Sequence, residues 1–207
     1  MTRTGRLITI EGIDGTGKTT LAEHLRDALA ARGVAIELMR EPGGVTVSER
    51  IRALVTDAEL SIAPRTEALL YAAARAQLVE EAIRPALASG AWVLLDRFLD
   101  SSLAYQGGGR RLGIEPIRSL NLFATAGLEA DRTLLLALDA AHARARQASR
   151  SHGADRLERE QDEFFRLVAE TYAALASADP DRIRVLDASQ TRERVLADAL
   201  DALVDLL

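Results

Sequence analysis

Residues 12–20 read Gly-Ile-Asp-Gly-Thr-Gly-Lys-Thr-Thr, a glycine-rich stretch with one lysine. An apolar run at 7–10 precedes it, and a helical pattern follows from Leu21. Its spacing fits G-x-x-x-x-G-K-[ST], in which glycines let backbone N–H groups turn inward around a phosphate. The strand, loop and helix context predicts a phosphate-binding loop whose following helix adds its positive dipole end.

The residues predicted to contact a nucleotide phosphate are Gly12, Asp14, Gly15, Thr16, Gly17, Lys18, Thr19 and Thr20. In such a loop the lysine reaches the β- and γ-phosphates, and the hydroxyl that follows it ligates Mg²⁺. Lys18 is the only lysine of the chain, so a compact ammonium is kept here where arginine serves elsewhere.

Composition limits the other functions that this chain can have. The 207 residues are 48% hydrophobic and suit one domain over 1–207 with a full core. A net charge of −5 argues against a general nucleic-acid surface. There is no cysteine, which excludes disulfides and thiolate metal sites and fits a cytoplasmic location. The sequence predicts neither a signal peptide nor a membrane span.

Strand-like runs alternate with helical patterns along the chain, which predicts an α/β fold. We expect five parallel strands with helices on both faces, and ligands beyond the carboxyl ends of the strands. The glycines at 107–109 are expected to break the segment that holds them. The predicted strands are 7–11, 34–39, 91–95, 133–138 and 183–186, and the predicted helices are 17–31, 47–56, 66–87 (bent at Pro85), 116–125, 162–176 and 192–206.

Four side chains outside the glycine-rich loop are further candidates for a functional site. Asp96 ends a buried apolar strand, where a carboxylate approaches Mg²⁺ or caps a helix. Arg97 can bind a second phosphate with its fork of donors. Tyr71 and Arg75 share one helix face, and they belong either to a ligand pocket or to ordinary core and solvated surface.

The segment 142–159 is polar and rich in arginine. It contains Arg144, Arg146, Arg150, Arg156 and Arg159. Such a run is usually a solvated surface helix. In an α/β phosphotransferase, however, it can be a lid whose arginines neutralise the transferring phosphoryl group and exclude water.

Taken together, these motifs resemble the thymidylate kinase family, whose members phosphorylate dTMP with ATP. The resemblance spans nearly the whole chain. The stretches that carry it are 11–20, Arg-Glu-Pro-Gly-Gly at 40–44, Tyr-Ala-Ala-Ala-Arg-Ala-Gln at 71–77, Asp-Arg-Phe at 96–98 with Ser101, Ala-Tyr-Gln-Gly at 104–107, and Asp-Arg-Leu-Glu at 155–158.

The resemblance implies a nucleoside-monophosphate-kinase fold with a P-loop, ATP and Mg²⁺ as cofactors, a homodimer, and a role for each matching residue. The implied catalytic residues are Lys18, Arg97, Asp14 and the lid arginines Arg146, Arg150 and Arg156. The implied acceptor-binding residues are Asp14, Arg40, Glu41, Tyr71, Arg75, Arg97, Ser101, Ser102, Tyr105 and Gln106. The implied metal ligands are Thr19 and Asp96.

Within this set, Tyr71 is expected to stack on the thymine ring and Arg75 to hydrogen-bond its edge. Tyr105 is expected to exclude a ribose hydroxyl. Some members of the family carry a basic residue inside the loop, but residues 13–16 of this chain include none. By resemblance, the catalytic arginine is therefore expected from the lid.

Three alternatives were weighed against this reading. A kinase for another nucleoside monophosphate would share the same motifs and differ in its acceptor. A GTP-dependent switch is excluded, because its usual N-K-x-D motif needs a second lysine. A nucleotide-binding module without catalysis is disfavoured by the presence of Lys18, Thr19, Asp96 and Arg97.

Overall fold

The computed structural model describes residues 5–138, 156–157 and 160–207. In these ranges five strands form one fully parallel sheet, in the order β2-β3-β1-β4-β5. This confirms the predicted fold class. The strands are β1 (Leu7–Glu11), β2 (Ile36–Arg40), β3 (Trp92–Asp96), β4 (Arg132–Ala137) and β5 (Ile183–Asp187).

Eight α-helices connect and cover the described strands. They are α1 (Lys18–Ala30), α2 (Thr46–Thr56), α3 (Pro64–Leu78), α4 (Arg84–Ala88), α5 (Leu99–Ser102), α6 (Ile114–Ala124), α7 (Asp162–Ala178) and α8 (Arg192–Asp201). Two π-helical segments, Val79–Ile83 and Leu103–Gly109, and a 3₁₀ turn at Val204–Leu206 complete the helical structure of these ranges. Among these helices, none is both long enough and apolar enough to cross a bilayer.

Side chains of each strand alternate between the two faces of the sheet, which gives two hydrophobic cores. On one face, Leu7 and Leu95 pack with residues of α6 and α7. On the other face, Ile8 and Leu94 pack with residues of α1 and α8. Because both faces are covered, the central strands read as continuous apolar runs, which is why the sequence predicts them well.

The helix predicted at 66–87 is divided in the structure. It begins at Pro64, passes through the π-helical segment Val79–Ile83, and ends at Ala88. The widened turn lies just ahead of Pro85, which has no N–H to donate and whose ring crowds the preceding turn. The π-segment begins six residues before Pro85, where the sequence predicts the bend.

The break predicted at the glycines 107–109 lies at the last of them. The chain stays helical from α5 through the π-helical segment to Gly109. A β-carbon on Gly108 would lie 2.0 Å from Thr171 Oγ1, and one on Gly109 would lie 2.5 Å from the Phe164 ring. These glycines therefore allow the close approach of α7 along the last part of the segment, which ends at Gly109.

The closing helix predicted at 192–206 ends earlier, at Asp201, and gives way to the 3₁₀ turn. The other predicted elements differ from the observed ones by one or two residues at their ends. Helix ends fray over about this distance, and local sequence patterns do not resolve it.

Candidate active site

A cavity of about 280 Å³ opens at the carboxyl ends of β1, β2 and β3. Parallel strands bring the loops that follow them to one edge of the sheet, so residues distant in sequence meet there. The lining residues are Asp14, Gly15, Gly17, Lys18, Thr19, Arg40, Glu41, Pro42, Arg52, Thr56, Tyr71, Arg75, Asp96, Arg97, Ser101, Ser102, Tyr105, Gln106 and Leu157.

The loop after β1 needs glycine where it turns. Gly12 has φ of +138°, and a β-carbon there would lie 2.6 Å from the carbonyl oxygen of Leu136. The loop ends at α1, whose first residue is Lys18, so the positive end of the helix dipole faces the loop. Backbone N–H groups arranged in this way can surround an anion.

The Lys18 ammonium is held against this loop. Its Nζ donates to the carbonyl oxygen of Ile13 at 2.9 Å and lies 3.6 Å from Asp14 Oδ1. Burial, followed by the nearby Arg97 guanidinium, lowers the pKa of Lys18 to about 8. A phosphate placed here would add negative charge and favour the ammonium form.

Thr19 and Asp96 form the candidate magnesium site. Thr19 Oγ1 donates to Asp96 Oδ2 at 2.9 Å, so a hydroxyl and a carboxylate oxygen already lie side by side. The N-cap interpretation of Asp96 is wrong, because Phe98 occupies the N-cap position of α5. The described residues contain no cluster of three or more His, Cys, Asp or Glu side chains that could hold a metal ion by themselves. Two protein oxygens fit Mg²⁺, which completes its shell with phosphates and water.

Arg97 joins the phosphate loop to the far side of the cavity. Its Nη2 donates to Asp14 Oδ1 at 2.6 Å and to the Tyr105 hydroxyl at 3.2 Å, and its Nη1 donates to Ser101 Oγ at 3.1 Å. Its guanidinium carbon lies 5.0 Å from the centroid of the Tyr105 ring.

Charge pairing decides the ionisation of these groups. Burial alone raises the pKa of Asp14, but the cations of Arg97 and Lys18 outweigh it and hold the pKa well below its usual range. Burial likewise lowers the pKa of Arg97, and the Asp14 carboxylate outweighs it and raises the pKa. Both groups are therefore charged at neutral pH.

Arg75 is buried, so its interpretation as a solvated-face residue is wrong. Its Nε donates to Glu41 Oε2 at 2.8 Å, its Nη2 lies 2.6 Å from the same oxygen, and Nη2 donates to the Phe98 carbonyl at 2.8 Å. Its Nη1 donates to Ser102 Oγ at 2.8 Å and to Asn121 Oδ1. These contacts fix the guanidinium at the cavity wall.

The remaining predicted acceptor residues also reach the cavity. Tyr71 lies one turn before Arg75 on α3 and is half-buried at the wall. Gln106 is buried and donates from Nε2 to Glu67 Oε1 at 2.9 Å. Arg40 donates to Glu49 Oε1 at 2.8 Å and to the Pro42 carbonyl at 3.1 Å. The structure thus brings the whole predicted acceptor set together, and its roles remain predictions.

Of the lid arginines predicted to be catalytic, Arg146 and Arg150 lie outside the described residues. Arg156 is described, and its Nη2 lies 2.7 Å from Glu67 Oε2 while its Nε donates to the Val55 carbonyl at 3.0 Å. Leu157 is the residue of this pair that lines the cavity. In this structure Arg156 therefore anchors its segment to α2 and α3.

Sequence reasoning missed several residues of the site. Arg52 and Thr56 line the cavity from α2, and Glu67 accepts hydrogen bonds from Gln106 and Arg110 and forms an ion pair with Arg156. Arg52 is one of many arginines, so only its position on an amphipathic helix could have marked it. Glu67 carries no local signal, because its partners are 39 or more residues away.

The chain matches known proteins over nearly its full length. Residues 10–199 match the family model for thymidylate kinase. The chain is 49% identical over 197 residues to a thymidylate kinase of Bifidobacterium longum (strain NCC 2705), covering 93% of this chain and 94% of the relative. It is 47% identical over 204 residues to one of Alkalilimnicola ehrlichii, covering 98% and 94%.

A solved structure agrees with these relatives. The crystal structure of thymidylate kinase from Ehrlichia chaffeensis superposes with a TM-score of 0.80 at 29% identity, and the match covers 97% of this chain and 98% of that one. The phosphate loop, the ion pair of Arg97 with Asp14 and the cavity of this chain lie within the matched residues. The chain therefore belongs to the thymidylate kinase family of enzymes.

Proposed function

We propose that this chain transfers the γ-phosphoryl group of ATP to dTMP, giving dTDP and ADP in dTTP synthesis. The observation that carries this proposal is the meeting of Lys18 and Arg97 at Asp14, from opposite sides of one cavity. One cation belongs to the loop for the donor phosphates, and the other has the donors needed to hold the phosphate of an acceptor.

The attacking oxygen of dTMP belongs to a phosphate and is already anionic, so the reaction needs no general base. What the protein supplies is position and positive charge. Lys18 neutralises the donor phosphates, and Arg97 holds the acceptor phosphate in line with them. Asp14 keeps Arg97 charged and fixes its orientation before the acceptor binds.

Thr19 and Asp96 would hold Mg²⁺ at the donor phosphates, and the ion would supply further charge neutralisation there. The support is the chemistry of the pair. Thr19 at the start of α1 and Asp96 at the end of β3 are hard oxygen donors within hydrogen-bonding distance of each other. A ligand set of this size leaves positions for ATP oxygens.

The acceptor base fits the part of the cavity between α3 and the Leu103–Gly109 segment. Tyr71 offers an aromatic face for stacking, and Arg75, Ser102 and Gln106 offer polar groups at the edge. Tyr105, held by Arg97, would stand beside the sugar and exclude a ribose hydroxyl. The lid predicted at 142–159 would supply the remaining arginines.

A homodimer is part of the same proposal. Phe123 on α6 is 88% exposed and Leu69 on α3 is 58% exposed, and these two helices pack against each other. A contiguous exposed apolar patch is typical of a contact surface, and the proposed dimer interface would cover these two side chains. Light scattering should give twice the chain mass, and Phe123→Ser should shift it towards the monomer. The cysteine-free sequence supports a cytoplasmic location.

A coupled ADP-release assay with chromatographic detection of dTDP tests the activity. ADP release should require both dTMP and Mg²⁺, and dTDP should appear in equal amount. Arg97→Ala should lower turnover about 100- to 1,000-fold while the protein still melts cooperatively. ADP release that is independent of dTMP would contradict the proposal.

A further inference from the structure

Glu11 is a buried carboxylate that has no part in the mechanism above. It is the last residue of β1 and is fully buried directly under the phosphate loop. A buried charge is costly unless hydrogen bonds compensate it, so its partners indicate what it does. Those partners lie on two other parts of the chain.

Each carboxylate oxygen of Glu11 accepts two hydrogen bonds. Oε1 accepts from the backbone N–H groups of Phe98 at 2.7 Å and Ser101 at 3.2 Å. Oε2 accepts from Ser101 Oγ at 2.5 Å and from the Tyr172 hydroxyl of α7 at 2.8 Å. Three of these four donors belong to the loop and short helix that directly follow Arg97.

Arg97 needs such support because of its backbone. It is one of three residues other than glycine with positive φ among the described ranges, at +72°. L-residues rarely adopt this conformation unless neighbouring contacts impose it. Its own N–H donates to the Ile10 carbonyl at 3.0 Å, and the next N–H donates to Glu11. The end of β1 therefore holds both peptide groups of the turn.

Glu11 also reaches the Arg97 side chain through one atom. Ser101 Oγ, which donates to Glu11, accepts from Arg97 Nη1 at 3.1 Å. Since its hydrogen points to Glu11, its lone pairs are available to the guanidinium. Glu11 therefore sets both the backbone and the orientation of the arginine.

We propose that Glu11 is a positioning residue, whose hydrogen bonds hold the turn at residues 97–101 so that Arg97 faces the acceptor phosphate. The inference rests on the proposed function, in which Arg97 holds the phosphate of dTMP. Glu11 touches no substrate itself. Its removal would misplace Arg97 and leave the donor loop intact.

Glu11→Ala and Glu11→Gln distinguish the effect of losing the hydrogen bonds from the effect of losing the negative charge. Alanine removes all four acceptor contacts. Glutamine keeps an oxygen for the two backbone N–H groups, and its amide can donate to the hydroxyls of Ser101 and Tyr172, which can also accept. We expect Glu11→Ala to raise the KM for dTMP about 10- to 100-fold with little change for ATP, since misplacing a binding group by about 1 Å has effects of this size. Glu11→Gln should stay within about threefold of wild type.

Arg132→Met is the matched control. Arg132 is buried at the start of β4, at the amino ends of the strands and therefore away from the cavity. There it donates to the Ala202 carbonyl and pairs with Asp205. The Arg132→Met substitution should lower the melting temperature and leave the KM for dTMP unchanged. If Glu11→Ala fails to fold, Tyr172→Phe and Ser101→Ala are used in its place. Each removes one side-chain hydrogen bond to Glu11 and should raise the KM for dTMP selectively.

A double-mutant cycle adds a readout that loss of stability alone would not move. Because Glu11 acts on the Arg97 side chain through Ser101, the effects of Glu11→Ala and Ser101→Ala on kcat/KM for dTMP should not add. The inference is overturned if Glu11→Ala leaves the KM for dTMP unchanged, if it raises the KM for ATP equally, or if Glu11→Gln is as impaired as Glu11→Ala.

Calorimetry distinguishes failure of this inference from failure of the proposed function. Wild-type turnover of dTMP tests the function alone. Binding of dTMP and of thymidine, which lacks the phosphate, tests the role of Arg97 without turnover. Glu11→Ala should lower the preference for dTMP at least about tenfold relative to wild type. An unchanged preference, or no preference in the wild type, overturns the inference.

Discussion

Replacing Arg75 by methionine should strongly destabilise the protein. The side chain is 2% exposed, and it is the partner of Glu41, whose side chain is 4% exposed. Methionine fills similar space but leaves Glu41 as a buried charge with no cation beside it, and Glu41 Oε1 already has no hydrogen-bond partner. Breaking a buried ion pair in this way costs about 3–5 kcal/mol. For a chain of this size that corresponds to a fall in melting temperature of roughly 6–20 °C.

Urea unfolding at several pH values measures this loss and checks its cause. Burial raises the pKa of Glu41, and the Arg75 cation opposes that rise. Without the arginine the pKa rises further, so the folded variant keeps a proton that the unfolded chain loses near its ordinary value. The variant's free energy of unfolding, relative to wild type, should therefore decline as the pH rises from 5 to 8.

The double variant Arg75→Met with Glu41→Leu is the matched comparison. It removes the unpaired charge together with its partner, and such replacements are often neutral or stabilising. It should regain most of the lost free energy and still bind dTMP poorly. The reasoning is refuted if Arg75→Met costs less than about 1 kcal/mol at pH 8, or if the double variant is no more stable than the single one.

Three further predictions concern the phosphate site. Lys18→Ala should lower ADP release at least about 100-fold without loss of cooperative melting, and turnover like that of wild type would contradict its role. Asp96→Asn should raise the Mg²⁺ concentration for half-maximal activity about tenfold or more and leave the KM for dTMP little changed; an unaltered Mg²⁺ dependence would exclude Asp96 from the metal site. Burial, followed by the Asp100 carboxylate, raises the pKa of Glu11 to about 7, although hydrogen bonds from Ser101 and Phe98 and the charge of Arg97 lower it. The wild-type free energy of unfolding should therefore fall by up to about 3 kcal/mol as the pH rises from 4.5 to 7. Glu11→Gln should lack this decline, and equal slopes in the two proteins would refute the prediction.

The parts of the fold that the sequence predicts are those with local causes. Buried parallel strands are continuous apolar runs, and the phosphate loop has a fixed spacing of glycine, lysine and threonine. The glycines at 107–109 have the same local appearance as a turn. The helical segment does end there, but the close packing of Gly108 against Thr171, more than 60 residues later, is a contact that no local pattern shows.

The candidate site divides in the same way. Motif spacing predicts Lys18, Thr19 and Arg97, because their chemistry requires neighbours in sequence. The Arg75–Glu41 pair joins residues 34 positions apart, and only the packed structure reveals that the arginine is buried. Arg156 has the appearance of any arginine in a charged segment, and its pairing with Glu67 depends on how α3 is placed.

A panel of acceptors with ATP and Mg²⁺ tests whether dTMP is the phosphoryl acceptor of this enzyme. The initial rate of ADP release is measured at equal low concentrations of dTMP, dUMP, UMP, CMP, AMP and GMP, which compares kcat/KM. We expect dTMP to be the best acceptor and UMP to be a poor one. The proposed site has the aromatic face of Tyr71 and the polar groups of Arg75 and Gln106 for the base, and it would have Tyr105 beside the sugar. UMP or AMP turned over faster than dTMP would contradict the account.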